Sequence, residues 1–231
     1  SYVGGSGRDT IIYSDIPSAI EADLDESNKK VIFGNSVHTL TNIENIVGTD
    51  FDDIISNNQQ ESTISGGAGC DTFKIFWGNV TITDLETCDI FIVSADAHMT
   101  GLVEAGFVAS PDNSSYGTTI LSSKSPLGAE IDLSKVTIGE FTINGGGGND
   151  ILSGGQSDDV LIGYDGSDIF KVAFGSDTIR DLSTGDVLIV NSGAVANAIN
   201  ISNFIATDAT SNSGIARLSA GDNGSVITLS E

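Results

Sequence analysis

The chain has little of what helical, membrane-bound or nucleic-acid-binding proteins require. Its 231 residues include three Pro, one Met, one Trp, two His, two Cys and only nine Lys plus Arg, against 32 Asp plus Glu, for a formal charge of −23. So few basic residues exclude nucleic acid and anionic membranes as direct partners, because both are bound chiefly by cationic side chains. No apolar run approaches the roughly 18 residues of a membrane-spanning helix. Catalytic motifs are missing as well: there is no G-x-S-x-G elbow, no H-E-x-x-H pair and no phosphate-cradling loop with lysine. The glycine run at 145–148 leads into Asn149 and Asp150 rather than a helix, and His38 and His98 have no evident partner. The expectation is a chain that is not an enzyme.

What is abundant is glycine, at 28 positions, and it is not scattered. From Gly145 to Ile189 the chain divides into five nine-residue units, beginning GGGGNDILS, GGQSDDVLI and GYDGSDIFK, with Asp150, Asp159, Asp168, Asp177 and Asp186 at one repeated position. A second array from Gly48 to Ile92 keeps the same phase, and a shift of 97 residues superposes the two with 18 identities over 45 positions and no gap. In each unit the last three residues predict a short strand whose middle side chain points inward. Those positions hold Leu152, Leu161, Phe170, Ile179 and Leu188 in one array and Ile55, Ile64, Phe73, Ile82 and Phe91 in the other, all apolar. Glycine at the first, second and fourth places is expected to take positive φ and turn the chain tightly.

The likeness continues past the arrays, FVAS at 107–110 answering FIAT at 204–207, so residues 48–134 and 145–231 read as tandem copies. The predicted organisation is a partial repeat unit with entry strands at 1–47, array 1 at 48–92, a β-strand spacer or cap at 93–144, array 2 at 145–189 and a C-terminal β-strand cap at 190–231. GGSGRDTII at 4–12 matches the motif in full, but the next nine residues break it. As a lone unit it would have no neighbour with which to share an ion, which suggests a piece of a longer protein.

The unit G-G-x-G-x-D-x-U-x, with U apolar, resembles the calcium-binding nonapeptide repeat of the RTX (hemolysin-type) family, strongly over the two arrays and the N-terminal unit. The resemblance implies an all-β chain of parallel β-roll arrays, two tandem copies with flanking short strands, holding several Ca²⁺ ions. Carboxylates every nine residues, in phase with an apolar ladder, separate this reading from a merely solubilising acidic surface.

If each unit is half a coil, ions lie between units two apart. In array 2 this pairs Asp150 with Asp168, Asp168 with Asp186 and Asp159 with Asp177; in array 1 it pairs Asp53 with Asp71 and Asp71 with Asp89, for at least five ions. The opposite edge of array 1 has Ser62 and Val80 in place of aspartate and is expected to be empty or weak. The candidate metal-site residues add the turn positions Gly48, Asp50, Gly66, Ala68, Gly145, Gly147, Gly154, Gln156, Gly163 and Asp165, with Asp9 in the first unit. The side chains of Asp50, Asp52, Asp158 and Asp165 read as solvated, Glu44 is a weak in-phase candidate, and Phe76, Trp77 and Phe174 read as cap or core residues.

Cys70 and Cys88 both precede a repeat aspartate and are 18 residues apart, one coil on one edge. Coils about 4.8 Å apart fall within the disulfide window, so a Cys70–Cys88 bridge and an oxidising compartment are expected. Two reduced thiols in the turn remain the alternative.

The functional expectation is a calcium-binding structural region of a secreted bacterial cell-surface protein, of S-layer or adhesin type, that folds on calcium outside the cell. The alternative is a C-terminal folding and export module of an RTX toxin or secreted hydrolase exported by a type I system. Beyond calcium, the expected partner is the chain itself, through β-roll edges or spacer strands. A carbohydrate-binding roll would need a basic stripe, which is missing.

Overall fold

Among the described residues strand follows strand, and there is no helix. The structure, a computed structural model, describes residues 1–27, 29–221 and 225–229. The chain divides into two units, one formed by Ser1–Leu102 with Asp112–Thr119 and the other by Val103–Pro111 with Ile120–Glu231. Both are β-solenoids of parallel stacked coils.

In the second unit, successive nonapeptides alternate between two parallel sheets. One stacks Gly106–Val108, Glu130–Asp132, Ile151–Ser153, Ile169–Val172, Val187–Val190 and Ser211–Asn212, with Phe107, Ile131, Leu152, Phe170 and Leu188 in register. The other stacks Phe141–Gly147, Val160–Asp165, Ser176–Ile179, Val195–Ile201 and Ile215–Ala220, with Ile143, Leu161, Ile179 and Ala198 in register. Within the array the partners are 18 residues apart, as two nine-residue halves require. All five predicted inward residues are buried, from 0 to 3% exposed.

The first unit repeats this plan, pairing Ile46 with Ile64 and Ile82 on one face and Ile55 with Phe73 and Phe91 on the other. It differs at one corner. Strands Ile54–Ser65 and Thr72–Leu85, of 12 and 14 residues, run through it without a break, absorbing the bend in register shifts at Asn57, Asn58 and Glu61. The unit NNQQESTIS contains no glycine, and without one a tight turn gives way to a bulged strand.

The N-terminal segment corrects an expectation. GGSGRDTII is not alone: strand Thr10–Ile12 stacks in parallel on Asn45–Val47 with Ile11 opposite Ile46. The partner unit, TLTNIENIV at 39–47, was disguised by its lack of glycine, and Asn42 takes the left-handed conformation, φ 51°, at the fourth position. The intervening residues form an antiparallel excursion, Glu21–Asp23 with Lys30–Phe33 and Lys30–Phe33 with Ser36–Thr41, turning at Gly34.

Candidate metal centre

The repeat aspartates are interior residues. Asp53, Asp71, Asp89, Asp150, Asp159, Asp168, Asp177 and Asp186 are each between 0 and 2% exposed. A buried carboxylate needs hydrogen bonds or a cation. In each, Oδ1 accepts a main-chain N–H from one coil back. Asp89 takes it from Asp71 at 2.8 Å, Asp71 from Asp53 at 2.7 Å and Asp53 from Ile20 at 2.8 Å. A second ladder runs from Asp186 through Asp168 and Asp150 to Ala129, and a third from Asp177 through Asp159 to Phe141, at 2.7 to 3.0 Å. The pairs read from the 18-residue spacing are therefore neighbours, joined from main chain to side chain.

In the units that open with glycine, the remaining oxygen, Oδ2, faces that glycine. A Cβ on Gly66 would stand 1.9 Å from Asp71 Oδ2, on Gly163 2.1 Å from Asp168 Oδ2, and on Gly48 and Gly145 2.3 Å from those of Asp53 and Asp150. These first-position glycines are buried and lack positive φ, contrary to expectation; side-chain volume, not backbone conformation, demands glycine there. Left-handed geometry falls mostly at the second and fourth places, as at Gly67, Gly69, Gly146 and Gly148, with Gly185 at a fifth place. Near Gly154 two carboxylates converge, Asp159 Oδ2 at 2.6 Å and Asp177 Oδ2 at 2.8 Å from the point where a Cβ would stand.

Burial dominates the electrostatics. Desolvation, with the charge of neighbouring carboxylates, pushes Asp71 up to about 7 and Asp177 to about 8, and desolvation pushes Asp89, Asp159 and Asp168 to about 6. Asp53, Asp150 and Asp186 are raised for the same first reason. The Oδ2 atoms of Asp150, Asp177 and Asp9 are buried without a hydrogen-bond partner. Hard carboxylate oxygens, paired across coils and short of positive charge, fit an oxygen-seeking divalent cation. Among the described residues no three His, Cys, Asp or Glu side chains cluster, so carboxylates alone would not complete a coordination shell.

Residues 142–179 match the family model of the RTX calcium-binding nonapeptide repeat, in four copies. This stretch is an RTX array. No curated protein matches the chain. The RTX match covers the Asp150, Asp159, Asp168 and Asp177 positions, and the 97-residue shift carries the same pattern onto Asp53 and Asp71.

The other candidates are placed as follows. Gly147 is half-buried in its turn, whereas Asp50, Ala68, Gln156 and Asp165 are exposed. Asp9 is partly buried, its N–H donating to Glu44 Oε2 at 3.0 Å. Cys70 and Cys88 form the disulfide, Cα atoms 5.0 Å apart. Phe76, Trp77 and Phe174 are 49, 44 and 49% exposed and are not core residues. His38 does have partners: Tyr13 Oη lies 3.1 Å from its Nδ1, and the rings of Tyr2 and Phe33 flank it.

Sequence reasoning missed one set of residues and the hydrogen-bonding role of another. Asp84 and Asp181, related by the 97-residue shift, stand where the motif begins with glycine; Asp84 accepts N–H bonds from Gly66 and Gly67, and Asp181 from Gly163 and Tyr164. Asp52, Asn149 and Asp158, at the fifth place, accept the N–H of Cys70, Ser167 and Ser176 one coil on. Asp52 and Asp158 are thus turn caps rather than free acids. The recurrence of an acid or amide at the fifth place was the available signal.

Proposed function

We propose that the chain is a calcium-folded structural region of a secreted bacterial cell-surface protein of the S-layer or adhesin type. One observation carries this reading: three ladders of buried aspartates whose Oδ1 atoms are spent on the main chain of the adjacent coil, while the Oδ2 atoms of Asp150 and Asp177 have no partner. Calcium bound there would supply the charge that lets the paired carboxylates ionise inside the roll. The residues that would hold it are Asp53, Asp71 and Asp89 on one edge of the first unit, and Asp150, Asp168 and Asp186 with Asp159 and Asp177 on the two edges of the second. Without it, carboxylates about 4.8 Å apart repel by roughly 0.9 kcal/mol in bulk water and several-fold more near protein. Binding energy thereby becomes folding energy. Dilute cytosolic calcium would leave the chain open for export, and extracellular calcium would close it. The proposal assigns the chain no catalytic step, and its lateral partner would be a second copy, met through roll edges or spacer strands.

A calcium titration followed by far-ultraviolet circular dichroism, with light scattering on the same samples and magnesium as control, tests this. The expected result is a cooperative rise in β-signal with calcium alone, accompanied by growth in scattering. A chain already folded in chelator would defeat the folding switch; folding without scattering would defeat the lattice role and favour an export module.

A further inference from the structure

The edge of the first unit that lacks the repeat aspartate is built on other chemistry. Asp9, Glu44, Ser62 and Val80 occupy the carboxylate phase along it. The contact between Asp9 N–H and Glu44 Oε2 repeats that of the aspartate ladders, with glutamate in the accepting role. Glu44 Oε1 lies 3.9 Å from Nζ of Lys29, whose side chain is 10% exposed and whose ammonium donates to the Ile43 carbonyl at 2.7 Å. One coil on, Gln59 Nε2 donates to the Glu44 carbonyl at 2.8 Å and to Ser62 Oγ at 2.7 Å, and Ser62 Oγ donates to Asn57 Oδ1 at 2.6 Å. The Asn57 amide closes the network on the carbonyls of Gln59 and Trp77. Asn57, Gln59 and Ser62 are each no more than 2% exposed, and Val80 continues the edge as an apolar side chain.

A lysine is rarely buried unless it is paired, and here its partners are a carboxylate and a carbonyl oxygen, the donor types a hard cation takes. The antiparallel excursion brings it there, anchored by the bond from Leu40 N–H to the Lys29 carbonyl. We propose that Lys29 supplies to Glu44 on this edge the positive charge that a divalent ion supplies to the aspartate ladders, so that the edge from Glu44 to Val80 and the strands meeting at it form a calcium-independent nucleus of the first unit. The inference goes beyond the functional reading and shares with it only the premise that the ladders need calcium.

Amide hydrogen exchange of the whole chain, read by mass spectrometry in chelator and in millimolar calcium, tests it with wild type and K29M. In chelator, wild-type peptides over residues 29–64 are expected to exchange at least tenfold more slowly than those over 142–179. K29M should lose that protection while keeping wild-type protection over 142–179 in calcium. Fast exchange over 29–64 in chelated wild type, or slow exchange retained in K29M, overturns the inference. Protection over 142–179 in chelator would instead overturn the folding switch, so the two failures are distinguishable. Should K29M not fold even in calcium, K29R and E44Q decide: protection kept by K29R and lost in E44Q supports the charge pair, and any other pattern overturns it.

Discussion

The two repeat arrays have like cores, each its own, and differ at a corner. Ile55, Ile64, Phe73, Ile82 and Phe91 in one, and Leu152, Leu161, Phe170, Ile179 and Leu188 in the other, are buried at the same places of the same coil. Yet where the second array sets Asp159 and Asp177, the first sets Ser62 and Val80, with an amide and hydroxyl network and an uninterrupted strand. The apolar ladder and the 18-residue register therefore dictate the coil. Corner chemistry is exchangeable, provided each buried polar atom finds a partner and each buried charge a counter-charge. On the proposed reading, an ion-dependent corner and a self-contained corner are two solutions to one accounting problem.

Removing charge without removing shape should separate the two solutions most widely. Asp168 belongs to two pairs: its Oδ1 accepts from Asp150 N–H at 2.9 Å, and its own N–H donates to Asp186 at 2.8 Å. D168N keeps a carbonyl acceptor but no charge. At a hundredfold excess of ion over its dissociation constant each lost site costs about 2.7 kcal/mol, so two cost about 5 kcal/mol in calcium. In chelator the same change should stabilise, because an ionised buried carboxylate is gone. Urea unfolding in both conditions measures this, and an effect of the same sign in each would refute ion-linked ladders.

The disulfide gives the next largest effect and belongs to the first unit. Closing an 18-residue separation, it contributes about 3 kcal/mol by loop entropy, so the C70A/C88A double substitution should lower the first unit's unfolding midpoint in both calcium and chelator. Exchange protection over 142–179 unchanged by the substitution would confirm that the loss is local; a loss spread equally over both arrays would not fit.

Ser62 offers the mirror of Asp168. S62A removes a hydroxyl that donates to Asn57 and accepts from Gln59, leaving buried amide groups short of partners at a cost of about 1 to 3 kcal/mol. The loss should be equal in calcium and chelator. A calcium-dependent loss would mean that this corner, too, is coupled to an ion.

How much of this was legible in the sequence follows from what periodicity encodes. A period fixes which residues point inward and which lie one coil apart, so the inward ladder, the aspartate pairs and the cysteine pair at 5.0 Å could all be read. It cannot fix a partner across an insertion of arbitrary length, and so the stacking of Ile11 on Ile46, 35 residues on, was hidden behind the antiparallel excursion. Nor does it tell why a residue type is required. Glycine at the first place answers to the carboxylate oxygen occupying its side-chain volume, which only coordinates reveal. Lys29 lies outside the repeat phase altogether, and its role depends on where the excursion delivers it.

The smallest perturbation, a change of pH without mutation, separates the corners by sign. In chelator the ladder carboxylates titrate above the ordinary value of about 3.9, with Asp89, Asp159 and Asp168 near 6, Asp71 about 7 and Asp177 about 8. Groups raised on folding bind more protons folded than unfolded. Their contribution is therefore complete below about pH 4 and is lost as pH rises through 6 to 8. The chelated second unit should thus gain structure on acidification over that window. In calcium the slope should reverse, because protons compete with the ion for the same oxygens. The Asn57, Gln59 and Ser62 corner carries no titrating group in its network and should show neither slope. Exchange protection over 57–64 and over 142–179, followed from pH 5 to 8 with and without calcium and corrected for intrinsic rates, reads all three. A chelated second unit that loses protection as pH falls from 8 to 5 would remove buried, desolvated aspartate as the reason the ladders need an ion.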